Sequence, residues 1–182
     1  MMAPRRVFGR AIAFLDGQNL YYAARRAFGY SYPNYNPVAL ARSLCGQQRL
    51  RLIETRFYTG VPDLGDDAFW HQFWSNKLAA MGRQGVVVYS RPLRYHEHRI
   101  KLPDGTQHAF RSAEEKGIDV RIALDVISLA YQQSYEVALI FSQDRIFRKL
   151  HVRSAWSPHS SNVGLRLPAP SRSIRSTRRP GV

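Results

Sequence analysis

Asp16, Asp119 and Asp144 are three carboxylates at widely separated points of a 182-residue chain, and each falls where an apolar run meets a helix start. Brought together they would repel, by roughly 4 kcal/mol for two charges about 4 Å apart at an effective dielectric near 20. A divalent cation removes that cost. Oxygen-only ligands with no Cys or His nearby favour Mg²⁺ or Mn²⁺. In a basic protein such a site suits phosphodiester hydrolysis, where the metal orients and deprotonates water and offsets charge on a phosphorane-like transition state. Asn19, one turn into the first helix, would face the same crevice. Aspartate is also a favoured helix N-cap, which would explain any one of the three without chemistry. Their convergence at one end of a sheet is what favours a site.

The elements that must position these residues follow from hydrophobic patterning. Short apolar runs alternate with amphipathic stretches, the signature of βαβ units around a parallel sheet. The runs Ala11–Leu15, Leu50–Tyr58, Val86–Tyr89 and Val137–Phe141 predict four parallel strands, with a Gly60-Val61-Pro62 turn ending the second. Helices are predicted over Gln18–Phe28, Pro37–Leu44, from Asp66 and Asp67 onward, and over Ile118–Ala130, the last mostly buried. The aromatic stripe Phe69, Trp70, Phe73 and Trp74 reads as core rather than as a base-stacking surface. Leu93–Lys101 and Thr106–Arg111 flank Pro103-Asp104-Gly105 and predict a basic hairpin. Asp16 follows the first strand and Asp144 the last, so both would meet beyond the strand ends if those strands are neighbours.

Charge and composition bound the partners. The chain carries 27 Lys+Arg against 13 Asp+Glu, a net +14, which suits a polyanion. Residues 148–182 hold 8 of the basic residues and no acid, with Ser/Arg- and Pro-rich stretches, and predict a basic, largely disordered tail. Residues 1–10 form a basic N-terminal segment, leaving 11–147 as the folded domain. A single cysteine, Cys45, excludes a disulfide scaffold and fits a reducing cytoplasm. The apolar run Ala11–Leu15 is far too short for a membrane span of about 20 residues.

The segments Phe14-Leu15-Asp16-Gly17-Gln18-Asn19, Glu115-Lys116-Gly117-Ile118-Asp119-Val120 with Ala123-Leu124-Asp125, and Phe141-Ser142-Gln143-Asp144 resemble, in order, the motifs of NYN-domain (LabA-like, DUF88) proteins. The resemblance runs from about Ala11 to Phe147 and takes in Tyr89-Ser90-Arg91-Pro92-Leu93. It implies a PIN-like three-layer α/β/α fold with a mostly parallel sheet and a metal-dependent ribonuclease. Asp16, Asp119 and Asp144 match the acidic Mg²⁺ or Mn²⁺ positions. Asn19 matches the motif asparagine, which would orient water or a phosphate, and Lys116 a lysine that would contact phosphate unless it is simply solvated. Asp125 lies about 120° around the helix from Asp119. It reads as an i,i+4 partner of Arg121 or as a support behind the ligands. Glu114 and Glu115 read as helix-start charges, either of which could reach the site through water, and Glu115 and Ser142 as further supports.

Two departures stand out. Ile146 replaces a second acidic residue after Asp144, and the tail contains nothing that reads as the helix and strand with which the family continues. Its abrupt change of composition suits a divergent or out-of-frame ending, and a missing final strand would leave an open sheet edge inviting self-association. For substrate, single-stranded RNA fits a basic rim of Arg91, Arg94, Arg99, Lys101 and Arg111, with Tyr95 stacking on a base. His96 and His98 lack a third ligand for zinc. The alternative is a catalytically impaired RNA-binding or protein-interaction module on the same scaffold. A haloacid-dehalogenase-type phosphatase is excluded by Gln18 where a second aspartate is needed, and a dinucleotide-binding fold by the absence of a glycine-rich loop.

Overall fold

The computed structural model describes residues 9–103 and 105–142. Asp144, Asp104, residues 1–8 and the tail 148–182 lie outside the described residues. In chain order the elements are β1 (Arg10–Asp16), α1 (Gly17–Phe28), α2 (Pro37–Gln47), β2 (Arg51–Val61), α3 (Ala68–Arg83), β3 (Val87–Pro92), β4 (Arg94–Lys101), β5 (Gln107–Glu114), α4 (Ile118–Tyr131) and β6 (Val137–Phe141).

β1 explains the layering. Ala11, Ala13 and Leu15 point into one apolar cluster and Ile12 and Phe14 into another, so the strand is buried on both faces. Such a strand reads as a continuous apolar run because each face is covered by helices. Leu20 of α1, Ala41 and Leu44 of α2, and Trp74, Leu78 and Met81 of α3 fill the first cluster. Ile118, Ile122 and Val126 of α4 fill the second. The result is a three-layer α/β/α sandwich.

The sheet has the order β3-β2-β1-β6 with every pairing parallel. From β1 the chain steps outward through β2 to β3, then returns to the other side of β1 for β6. The strand order therefore reverses between β1 and β6, the position at which open parallel sheets bind ligands beyond the carboxyl ends of their strands. The helix starts are set by local chemistry. Asn36 accepts from the amides of Val38 and Ala39 ahead of Pro37, and Asp67 accepts from the Trp70 amide at 3.0 Å.

Three expectations need correction. β2 does not stop at a Gly60 turn but pairs with β3 through Val61. A side chain on Gly60 would meet Leu93 and come within 2.8 Å of Glu115 Oε2, so the strand passes where only glycine fits. α4 is not mostly buried: Val120, Leu124, Ile127 and Tyr131 are 52–91% exposed, because a single stripe of a helix reaches a four-stranded sheet. The aromatic stripe of α3 is largely core, but Phe69 is 59% exposed and meets Tyr32, which also packs on Trp70 and Phe73. The hairpin forms as expected, as a separate antiparallel β4–β5 ribbon. Among the described residues no helix is long and apolar enough to cross a membrane.

Candidate active site

Asp16 ends β1 and is 2% exposed. It is also the N-cap of α1: Oδ1 accepts from the Asn19 amide at 2.9 Å and Oδ2 from Asn19 Nδ2 at 2.6 Å. The helix cap and the expected ligand are thus the same carboxylate. Asn19 Nδ2 also donates to Ser142 Oγ at 3.2 Å. Ser142 directly follows β6, so Asn19 ties the carboxyl ends of β1 and β6 together at the strand-order reversal. The chain reaches Asp144 two residues later, beyond the described residues.

Glu115, expected only as a helix-start charge or a support, belongs to the centre of this region. It follows β5, and its Oε2 accepts from the Gly60 amide of β2. Burial, together with the nearby charges of Asp16 and Asp119, pushes its carboxyl up to about 7, against a lowering by the Gly60 hydrogen bond. Three carboxyl groups therefore share one region at the carboxyl ends of β1 and β2. Sequence could not single out Glu115 over Glu114, because the Gly60 contact spans 55 residues. Glu114 instead pairs with His96 at 3.1 Å and with Lys116 at 3.8 Å.

Asp119 is not consumed as a helix cap. Gly117 holds the N-cap position of α4 at φ +79°, and Asp119 stands in the first turn, where the helix dipole favours its charge. Arg91 lies across this turn. Its Nη1 reaches the Lys116 carbonyl at 3.5 Å and would stand 2.8 Å from a Cβ on Gly117. Arg91 thus braces the turn that delivers Asp119. Lys116 is exposed and paired only weakly, as an ordinary solvated lysine would be.

Asp125 is structural. Its Oδ2 accepts from Tyr58 at 2.8 Å and Arg56 at 3.1 Å, and its Oδ1 from Arg121 at 2.9 Å, the i,i+4 pair that the sequence predicts. The expected basic rim divides: strand alternation sends Arg94 to one face of the ribbon and Tyr95, Arg99, Lys101 and Arg111 to the other. Tyr95 is covered by the Arg111 guanidinium, 4.9 Å from its ring centre, and Arg111 pairs with Asp66 at 2.6 Å.

Other residues border the site without a local sequence signal. The Tyr35 phenol donates to the Gly17 carbonyl at 2.9 Å and is raised well above its ordinary pKa, first by burial and then by Asp16 and Glu115. Lys77 Nζ lies 5.7 Å from the Tyr35 ring centre, and burial lowers its pKa. Asn19, Tyr22, Arg25 and Arg26 line an open groove of about 560 Å³ along α1, which places two arginines beside the asparagine that holds Asp16.

The donor chemistry of Asp16, Glu115 and Asp119 is that of a hard cation site. Among the described residues, no group of three His, Cys, Asp or Glu side chains stands close enough to hold a metal ion. A complete ligand set would need a donor from outside them. The NYN domain model matches residues 10–154. No curated protein matches the chain. Among solved structures, a protein of unknown function from Vibrio parahaemolyticus is similar at 20% identity and a TM-score of 0.47, over 80% of this chain and 73% of that one.

Proposed function

Because the chain belongs to the NYN-domain family of PIN-like nucleases, we propose that it is a ribonuclease that hydrolyses phosphodiester bonds of single-stranded RNA with Mg²⁺ or Mn²⁺. The observation that carries this reading is geometric: Asn19 ties the buried Asp16 to Ser142 where the strand order reverses, and the Glu115 carboxyl reaches the Gly60 amide of the neighbouring strand. Asp16 and Asp119 would hold the cation, with Asp144 supplying the donor from beyond the described residues. When bound, the cation supplies Lewis acidity toward water and the phosphate and offsets their negative charge.

The chain's own residues do the rest. Asn19 fixes both oxygens of Asp16 through its main-chain and side-chain nitrogens, so the orientation of that carboxylate is set in advance. The Glu115 carboxyl is raised chiefly by burial and stands beside Asp16 and Asp119, an arrangement suited to general acid–base catalysis. Glu115 is therefore assigned the proton released as water oxygen bonds to phosphorus and the ester P–O bond breaks. Arg25 and Arg26 supply positive charge along the groove beside Asn19 for the RNA backbone. Cys45 is buried and free, which agrees with the reducing cytoplasm proposed as its location.

Incubating the purified protein with end-labelled single-stranded RNA tests this reading. Cleavage is expected with Mg²⁺ or Mn²⁺, to stop in EDTA, and to fall by a factor of 100 or so in Asp16→Asn. Cleavage that ignored both EDTA and the substitution would overturn it. Ile146, where the family pattern carries a second acidic residue, favours one alternative, a scaffold that binds RNA without cutting it. Retained RNA affinity with no turnover under any divalent cation would establish that alternative.

A further inference from the structure

The ribonuclease reading leaves open where the RNA chain is held, and the β4–β5 ribbon carries an answer. Its register places Arg94, His96, His98 and Ile100 on one face, opposite Glu114, Ser112, Phe110 and His108. Three of the chain's six histidines therefore share this face with an exposed phenylalanine. The His98 and Phe110 rings stack at 5.0 Å with 21° between their planes, and His98 Nε2 is fixed by Ser112 Oγ at 2.8 Å. Phe110 is nevertheless 43% exposed and Ile100 46%. Glu114 is the one carboxylate of the face among the described residues, and it already pairs with His96 and Lys116.

On the opposite face Tyr95 and Arg111 engage the body of the protein, while Glu97, Arg99, Lys101 and Gln107 are exposed. Arg111 pairs with Asp66, and Tyr95 lies under Arg111 and within the field of Asp63, Asp66 and Asp67. That side carries Arg99, Lys101 and Arg111 against Glu97, whereas the other carries the stacked rings, with Arg94 opposite Glu114. The root of the ribbon is anchored at the site: the Leu93 amide donates to the Val61 carbonyl at 3.0 Å, and Glu115 follows β5 directly.

We infer that the His98–Phe110 face of the ribbon, flanked by Arg94, His96 and His108, is a base-stacking platform that holds single-stranded RNA leading into the acidic site. Flat rings bind bases through stacking with little sequence preference, and Arg94 and the imidazoles lie along the path of the backbone. The choice of RNA rests on the ribonuclease reading; the platform itself rests on the ribbon.

Fluorescence anisotropy with a labelled single-stranded RNA, in EDTA so that binding is read without cleavage, tests the inference. Phe110→Ala and His98→Ala each weaken binding by roughly five-fold or more. Phe110→Leu, which keeps apolar volume without the ring, weakens it likewise, and Gln107→Ala on the opposite face leaves it unchanged. Photocrosslinking of 4-thiouridine RNA to the unmodified protein labels the peptide containing Phe110. Wild-type affinity in both Phe110 variants, or crosslinks that avoid the ribbon, overturns the platform even if RNA is cleaved. Weakened binding in those variants, beside a wild-type protein that never cleaves, upholds the platform and overturns the ribonuclease.

Discussion

At the scale of single residues, Glu115 is the most informative side chain. Its folded midpoint near 7 lies above the ordinary carboxyl value of 4.5. Below pH 4.5 the group is protonated in both folded and unfolded chains and costs nothing. Between pH 4.5 and 7 the unfolded chain ionises first, so stability falls as pH rises, by about 3 kcal/mol in all. Denaturant titrations of the metal-free protein should show this loss in the wild type and a flatter profile in Glu115→Gln. A profile of equal slope in both would separate Glu115 from the acidic region. Asp16 and Asn19 were legible in the sequence because strand end, cap and motif fall within four residues. Glu115 was legible only as a helix-start charge or a support, because its contact is with a backbone amide of a distant strand.

At the scale of elements, the joints that aim the carboxylates should be more sensitive than the helices themselves. Gly117 at φ +79° starts α4, and an alanine there is strained and must displace Arg91. Gly117→Ala should cost about 1 kcal/mol of stability and reduce cleavage by more than that loss explains, since Asp119 moves with the turn. Thermal melts and cleavage rates on the same sample compare the two. Asp125 joins α4 to β2 through Tyr58 and Arg56. Asp125→Ala removes one of the two carboxylates paired with Arg56, Glu54 remaining, and leaves the Tyr58 hydroxyl without its acceptor; it should cost about 2 kcal/mol, while any cation affinity stays as it was. Strands and helix starts were readable from alternation and caps. The two faces of the ribbon were not, because strand pairing decides which residues look outward, and the exposed stripe of α4 depends on how much sheet lies beneath it.

At the scale of the whole molecule, the net charge of +14 sets the response to salt. RNA affinity should fall linearly in log–log form as salt rises, by about 0.7 per phosphate contact for a single strand, and a flat response would exclude backbone recognition. The four parallel strands match what patterning predicts; their order, β3-β2-β1-β6, was not legible in the sequence, and it places the strand-order reversal beside Asp16. The family match extends to residue 154, past the predicted domain end at 147, where the abrupt basic composition hides any periodicity. A hard cation held by Asp16 and Asp119, with a donor from beyond the described residues and Glu115 beside them, is the premise of the ribonuclease reading. Calorimetric titration of the full chain with Mn²⁺ at pH 7.5 addresses it. Saturable binding of a single ion, abolished in Asp16→Asn and accompanied by a rise in melting temperature, is the expected result. Binding that is absent, or equally strong in Asp16→Asn, would contradict it.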